Sequence, residues 1–120
     1  KMWPARLSPK QQQGQLGEQQ ALAWLQQQGL KLVETNFSCK AGEIDLIMRE
    51  RDTLVFVEVR KRSGKLKGAA AESITPAKKR RVICAAQLYL SRFPRTPACR
   101  IDVVTIDGGT LEWLPNAIEV

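Results

Sequence analysis

The stretch GEIDLIMRERDTLVFVEVRKR, residues 42–62, decides how this chain is read. Two apolar runs, LIM at 46–48 and LVFV at 54–57, flank the short connector ERD. Branched and large apolar residues at this density predict strands over 43–49 and 53–61. The connector is too short for a crossover, so the two strands are expected to form an antiparallel hairpin. Side chains of an extended chain alternate between faces. Val55, Val57 and Val59 therefore share one face of the second strand, and Leu54, Phe56, Glu58 and Arg60 the other. Both faces are largely apolar, which marks 53–61 as the central strand of a sheet.

That placement makes Glu58 conspicuous. A carboxylate inside a buried strand costs several kcal/mol unless it is paired or binds a cation. The hairpin brings Asp45, at the start of the first run, toward Glu58. Two remedies are then open: Arg60 as an ion partner on the same face, or a hard cation shared by Asp45 and Glu58. Mg²⁺ (or Mn²⁺) is commonly held by one or two carboxylates plus water and phosphate oxygens. The pattern alone weighs these about equally, because ion pairs also bury charge.

The rest of the chain supplies the frame. A helix is expected over 15–28, stopped by Gly29. Gly17, Ala21, Trp24 and Leu25 form its inward stripe, and Glu18 borders it. LKLVETNF, 30–37, reads as a strand. Thr75 and Pro76 make a capping pair that opens a helix from 76 to about 92, with the apolar row Val82, Ala85, Ala86, Tyr89 and Leu90. CRIDVVTID, 99–107, is a strand, Gly108-Gly109 a turn and TLEWL, 110–114, a short last strand. The expected fold is α/β: helix, three strands, helix, two strands, as a mixed five-stranded sheet flanked by helices. One domain over 14–120 is expected, with 1–13 a flexible N-terminal segment. No apolar stretch suits a signal peptide or a membrane span, so the expectation is a cytoplasmic protein without membrane contact.

Composition narrows the chemistry. Histidine is absent, which excludes Ser-His and Cys-His nucleophiles and zinc sites built on histidine. Cys39, Cys84 and Cys99 have neither metal-site nor disulfide spacing and read as reduced, buried thiols. Any catalysis must therefore rest on carboxylates, lysines and water. The net charge of +7 is also concentrated: nine of the 19 basic residues, but one of the 12 acidic ones, lie between Arg60 and Arg81. Lys61, Arg62, Lys65, Lys67, Lys78, Lys79, Arg80 and Arg81 are thus candidate contacts to a polyanion. A merely solvated basic face is the plainer alternative.

G-E-I-D at 42–45, F-V-E-V-R at 56–60 and T-P-A-K at 75–78 follow one another in a spacing that resembles the YraN-type family of small bacterial proteins. Gly17-Glu18, R-I-D-V-V at 100–104 and L-E-W at 111–113 extend the match from about Gly14 to Leu114. That family is similar to nucleases of the PD-(D/E)XK superfamily, with a restriction-endonuclease-like fold, and to some Holliday junction resolvases. The resemblance implies that Asp45 and Glu58 are metal ligands, that Glu18 is the acid contributed by the first helix, and that Arg60 occupies the position of the superfamily's lysine. Arginine stays protonated and suits phosphate clamping better than proton transfer. Lys61 is no substitute, because parity sends it to the other face.

Three functions follow. The first is a Mg²⁺- or Mn²⁺-dependent endonuclease acting on DNA, branched DNA included, with Glu18, Asp45, Glu58 and Arg60 catalytic. The second is a nuclease-fold protein that binds nucleic acid without cutting it. The third is a protein-interaction domain with a basic face. Paired cuts across a junction would call for a homodimer.

Overall fold

The computed structural model describes residues 9–62 and 74–119, with side chains over 16–61 and 74–119. Seven elements follow in order: α1 (Pro9–Gln27), β1 (Lys31–Cys39), β2 (Gly42–Glu50), β3 (Thr53–Arg62), α2 (Pro76–Leu90), β4 (Cys99–Asp107) and β5 (Thr110–Ile118). The strands form one sheet in the order β1-β2-β3-β4-β5, so 53–62 is the central strand expected from its two apolar faces. β3 and β4 are parallel and joined across α2, while the other neighbours are antiparallel. This mixed α/β sheet with two helices has a layout consistent with the restriction-endonuclease-like fold.

The alternation in β3 sorts the core into two layers. Val55 and Val57 lie with Ala21 and Leu25 of α1, and Leu54 and Phe56 with Val82, Ala85, Ala86 and Tyr89 of α2. The apolar row expected for α2 is buried at every position. Of the stripe expected on α1, Gly17, Ala21 and Leu25 are buried and Trp24 is half-buried, edge-on to Trp113 of β5 at 5.7 Å.

Most boundaries shift by a residue or two from the sequence reading, α2 ending at Leu90 rather than about 92, and three of the shifts have a physical reason. α1 begins at Pro9, inside the segment set aside as 1–13, because its polar glutamines support a helix without an apolar face. β1 runs on to Cys39, since its pairing with β2 continues to Cys39↔Gly42. β5 extends to Ile118 through Pro115, which an edge strand tolerates because it needs no donor on its open side. Gly108 and Gly109, with φ of 57° and 92°, make the tight turn between β4 and β5. The thiols are unpaired, as expected, but Cys39 and Cys99 are only half-buried and Cys84 is exposed. Among the described residues no helix is long and apolar enough to cross a membrane. The loop expected over 63–73, with Lys65 and Lys67, lies outside the described residues, as do residues 1–8 and 120.

Candidate functional site

The sheet opens where the acids sit. The β2–β3 ladder begins at the two-residue turn, Glu50↔Thr53, and ends at Leu46↔Val57. β3 continues to Arg62 paired with β4 alone. On its other side β2 pairs Leu46 with Thr35 and Ile44 with Phe37, skipping Asp45 and Asn36. Asn36 has a φ of 54°, a conformation that asparagine tolerates better than most residues. Side-chain alternation slips at the same point: Leu46 and Met48 face α1, yet Ile44 joins Ile47 in the layer under α2. Asp45 is therefore turned into the fork between β2 and β3. There its Oδ2 accepts a hydrogen bond of 2.8 Å from the Val59 N–H, beyond the end of the ladder.

Glu58 enters the fork from β3, only 3% exposed and on the α2 face that strand parity predicts. Lys78 of α2 reaches it, with Nζ 3.1 Å from Oε2. The other oxygen, Oε1, is buried without a hydrogen-bond partner. Burial pushes the Glu58 carboxyl up to about 7, helped by the charge of Asp45 and opposed by Lys78. Burial likewise raises Asp45, against the Val59 N–H. The two carboxyls are close enough to share a hydrogen bond when one holds a proton. Glu18 closes the group from α1. Its carboxyl is raised to about 7 by burial and by the charges of Asp45 and Glu43, while a hydrogen bond from the Asn36 side chain opposes the rise.

Two glycines of the quoted motifs lie where the helices pack on the sheet, and only Gly42 is required for the approach. A Cβ on Gly42 would lie 3.0 Å from the Arg81 Cβ and 3.1 Å from its carbonyl oxygen, so only glycine lets the start of α2 sit this close to β2. At Gly17, α1 lies on the stem of Lys61, where a Cβ would stand 3.6 Å from Cδ. Lys61 thus lies on the α1 face, opposite Glu58, as parity requires.

Glu18, Asp45, Glu58 and Lys78 are accordingly brought together. Arg60 is half-buried, one step along β3 on the Glu58 face. Lys79, Arg80 and Arg81 are exposed on the first turns of α2, Lys61 is exposed at the end of β3, and Arg62 is described by its backbone only. Sequence reasoning offered Lys78 as a phosphate contact and left Arg60 and a shared cation as two open remedies for Glu58; Lys78 stands in an ion pair with Oε2 of Glu58. It missed Asn36 and Glu43, for which the only signals were an asparagine opposite the acid motif and the second residue of G-E-I-D itself.

A hard cation suits this donor set in part. Among the described residues no three acidic, cysteine or histidine side chains converge as a ready-made metal cage. The oxygen chemistry and the orphaned Oε1 do suit Mg²⁺, which needs only one or two carboxylates and otherwise keeps water or phosphate.

The R-I-D-V-V and L-E-W motifs build something else. Asp102, fully buried, accepts from Arg100 Nε at 3.0 and 3.2 Å, from Trp113 Nε1 at 2.9 Å and from the Asn116 N–H at 2.8 Å. Arg100 also binds Glu50 at 2.8 Å. This network fills the bulge where β4 and β5 shift register and clamps the edge strand.

Residues 17–106 match the family described as Uncharacterised protein family UPF0102. The chain is 58% identical over 106 residues to a UPF0102 protein of Herminiimonas arsenicoxydans, covering 88% of this chain and 86% of that protein. It is 59% identical over 119 residues to one of Cupriavidus metallidurans, covering 98% and 89%, and 57% identical over 119 residues to one of Janthinobacterium, covering 97% of each. With nearly its whole length matched at this identity, the chain belongs to the UPF0102 family.

Proposed function

We propose that this protein is a Mg²⁺- or Mn²⁺-dependent endonuclease that hydrolyses phosphodiesters in DNA, branched DNA included, in the cytoplasm. The observation that carries the reading is the orphaned Oε1 of Glu58, buried beside a second raised carboxyl at a fork in the sheet. A purely structural acid would be expected to have its oxygens satisfied. The resemblance to PD-(D/E)XK nucleases assigns Asp45 and Glu58 as metal ligands, with Glu18 beside them. The bound cation would supply Lewis-acid stabilisation of charge on the scissile phosphate.

The chain's own residues do the rest. Asp45 is fixed by the Val59 N–H, so its carboxylate cannot swing out of the fork. Glu58 is held by Lys78 through one oxygen, leaving the other toward the site. Arg60, in the lysine position, clamps a phosphate oxygen, and Lys61, Lys79, Arg80 and Arg81 hold the backbone from both sides of β3. In the net reaction water forms a bond to phosphorus and one ester P–O bond breaks. One water proton ends on the leaving oxygen.

The test is incubation of the purified chain with linear, flapped and four-way DNA in Mg²⁺ or Mn²⁺. Cleavage that disappears with chelator and in Asp45→Asn supports the proposal, and no cleavage of any substrate overturns it. Arg60 in the lysine position favours a second reading, a nuclease-fold module that binds DNA and does not cut. Salt-sensitive DNA binding that survives Glu58→Gln, with no nicking by the native chain, would select it.

A further inference from the structure

We infer that Lys78, delivered from α2 rather than from the central strand, is the lysine of this site, donating to the attacking water or to the scissile phosphate beside Glu58. This rests on the nuclease reading and adds a residue role to it.

Three features of the structure argue for it. First, Lys78 already reaches the acids: its Nζ stands 3.1 Å from Glu58 Oε2, and its side chain stays 30% exposed. An ammonium has three donors, so the bond to Oε2 leaves two for a solvent-side oxygen. Second, its backbone is pinned. The Lys78 N–H donates to Thr75 Oγ1 at 3.1 Å, and the glycine at 42 seats α2 against β2 without room for a Cβ. The ammonium therefore approaches the fork from a fixed base.

Third, the placement runs against local helix preference. The first turn of α2 contains no acid, and Lys78 and Lys79 lie in it, at the positive end of the helix dipole. Cations are disfavoured there, and acidic residues are preferred. A sequence that breaks a local rule next to a buried, incompletely satisfied acid is marking a working position. Arg60 does not take this role, because a guanidinium spreads its charge over a planar fork, whereas an ammonium concentrates it on one atom.

The experiment compares native protein, Lys78→Met, Lys78→Ala, Arg60→Met and the double variant Lys78→Met/Arg60→Lys on a DNA substrate that the native chain cuts. Lys78→Met is expected to lower kcat by roughly 10²-fold or more, the usual scale for losing one placed donor, with DNA affinity changed less than about threefold. Arg60→Met is expected to weaken DNA binding more than it lowers kcat. Small primary amines are expected to restore Lys78→Ala in proportion to their concentration, and the double variant to recover part of the rate. Mn²⁺ binding, read by calorimetry, is expected to tighten in Lys78→Met as a positive neighbour of Glu58 is removed. Equal cutting by native and Lys78→Met protein, or a loss that no amine repairs together with unchanged Mn²⁺ affinity, overturns the inference and leaves the nuclease reading standing. A native chain that cuts nothing overturns both.

Discussion

Two buried carboxylates on neighbouring strands, Asp102 of β4 and Glu58 of β3, have been treated differently by the same fold. Asp102 receives a guanidinium, an indole N–H and a backbone N–H, and its network closes on Glu50. Glu58 receives one ammonium and keeps an oxygen with no partner. The first arrangement is complete in itself and locks β5 to the sheet. The second becomes complete only when a proton or a cation joins it. Burial is therefore a poor guide to function, whereas unfinished hydrogen bonding is a better one.

The largest expected contrast lies in what each acid is for. Glu58→Gln should lower DNA cleavage by on the order of 10³-fold while leaving the melting temperature unchanged or higher, since a desolvated charge is removed. Asp102→Asn should do the reverse in kind. Asparagine cannot accept from all of the Arg100, Trp113 and Asn116 donors that Asp102 satisfies. Each buried donor left unpaired costs about 1–3 kcal/mol, so the melting temperature should drop by more than about 10 °C. Thermal melts and cleavage rates on the two variants separate the roles, and a Glu58→Gln protein that melts as low as Asp102→Asn erases the distinction.

A smaller effect tests how the fork is assembled. Gly42→Ala forces α2 away from β2 and should cost about 1–3 kcal/mol by overpacking. It should also move Lys78 from Glu58, whereas Gly17→Ala, which meets only ordinary contacts, should be close to neutral. Urea unfolding of the two alanine variants checks the order.

The smallest expected effect is on the pH profile of the metal-free protein. Glu58 and Glu18 rise from the ordinary 4.5 to about 7, so the folded state holds protons that the unfolded chain has released. Their contribution is full below 4.5 and is lost as pH climbs through 7, so the melting temperature in chelator should fall by several degrees over that window. Mn²⁺ should recover the loss above pH 7 and have little effect near pH 5. A flat profile in chelator would break the link between burial and protonation at the fork.

Much of this was legible in the residues. The two faces of TLVFVEVR fixed the central strand, and parity separated Glu58 from Lys61. The row from Val82 to Leu90 and the Thr75-Pro76 cap fixed α2. What escaped is what depends on non-local geometry. The far half of β5 exists because Asp102 holds the Asn116 N–H across a bulge, which no local pattern around Pro115 announces. The Glu58–Lys78 pair joins residues of different elements and depends on α2 settling against Gly42. From sequence alone, Arg60 on the same face and a cation shared with Asp45 were the two partners open to Glu58. Asp45 was placed near Glu58 by the hairpin, but its turn into the fork follows from a slip in alternation visible only in the paired sheet.

The claim at the centre of this account is that Glu58 awaits a cation. Its most direct test is calorimetric titration of the chain with Mn²⁺ at pH about 7 in two buffers of different ionisation enthalpy. The expected result is saturable binding with net proton release, because the cation displaces the proton that the raised carboxyls of Glu58 and Asp45 partly retain at this pH. That binding should be lost in Glu58→Gln and kept in Asp102→Asn at a temperature where the variant is folded. Mn²⁺ binding that is absent, or that is the same in native and Glu58→Gln protein, would contradict it.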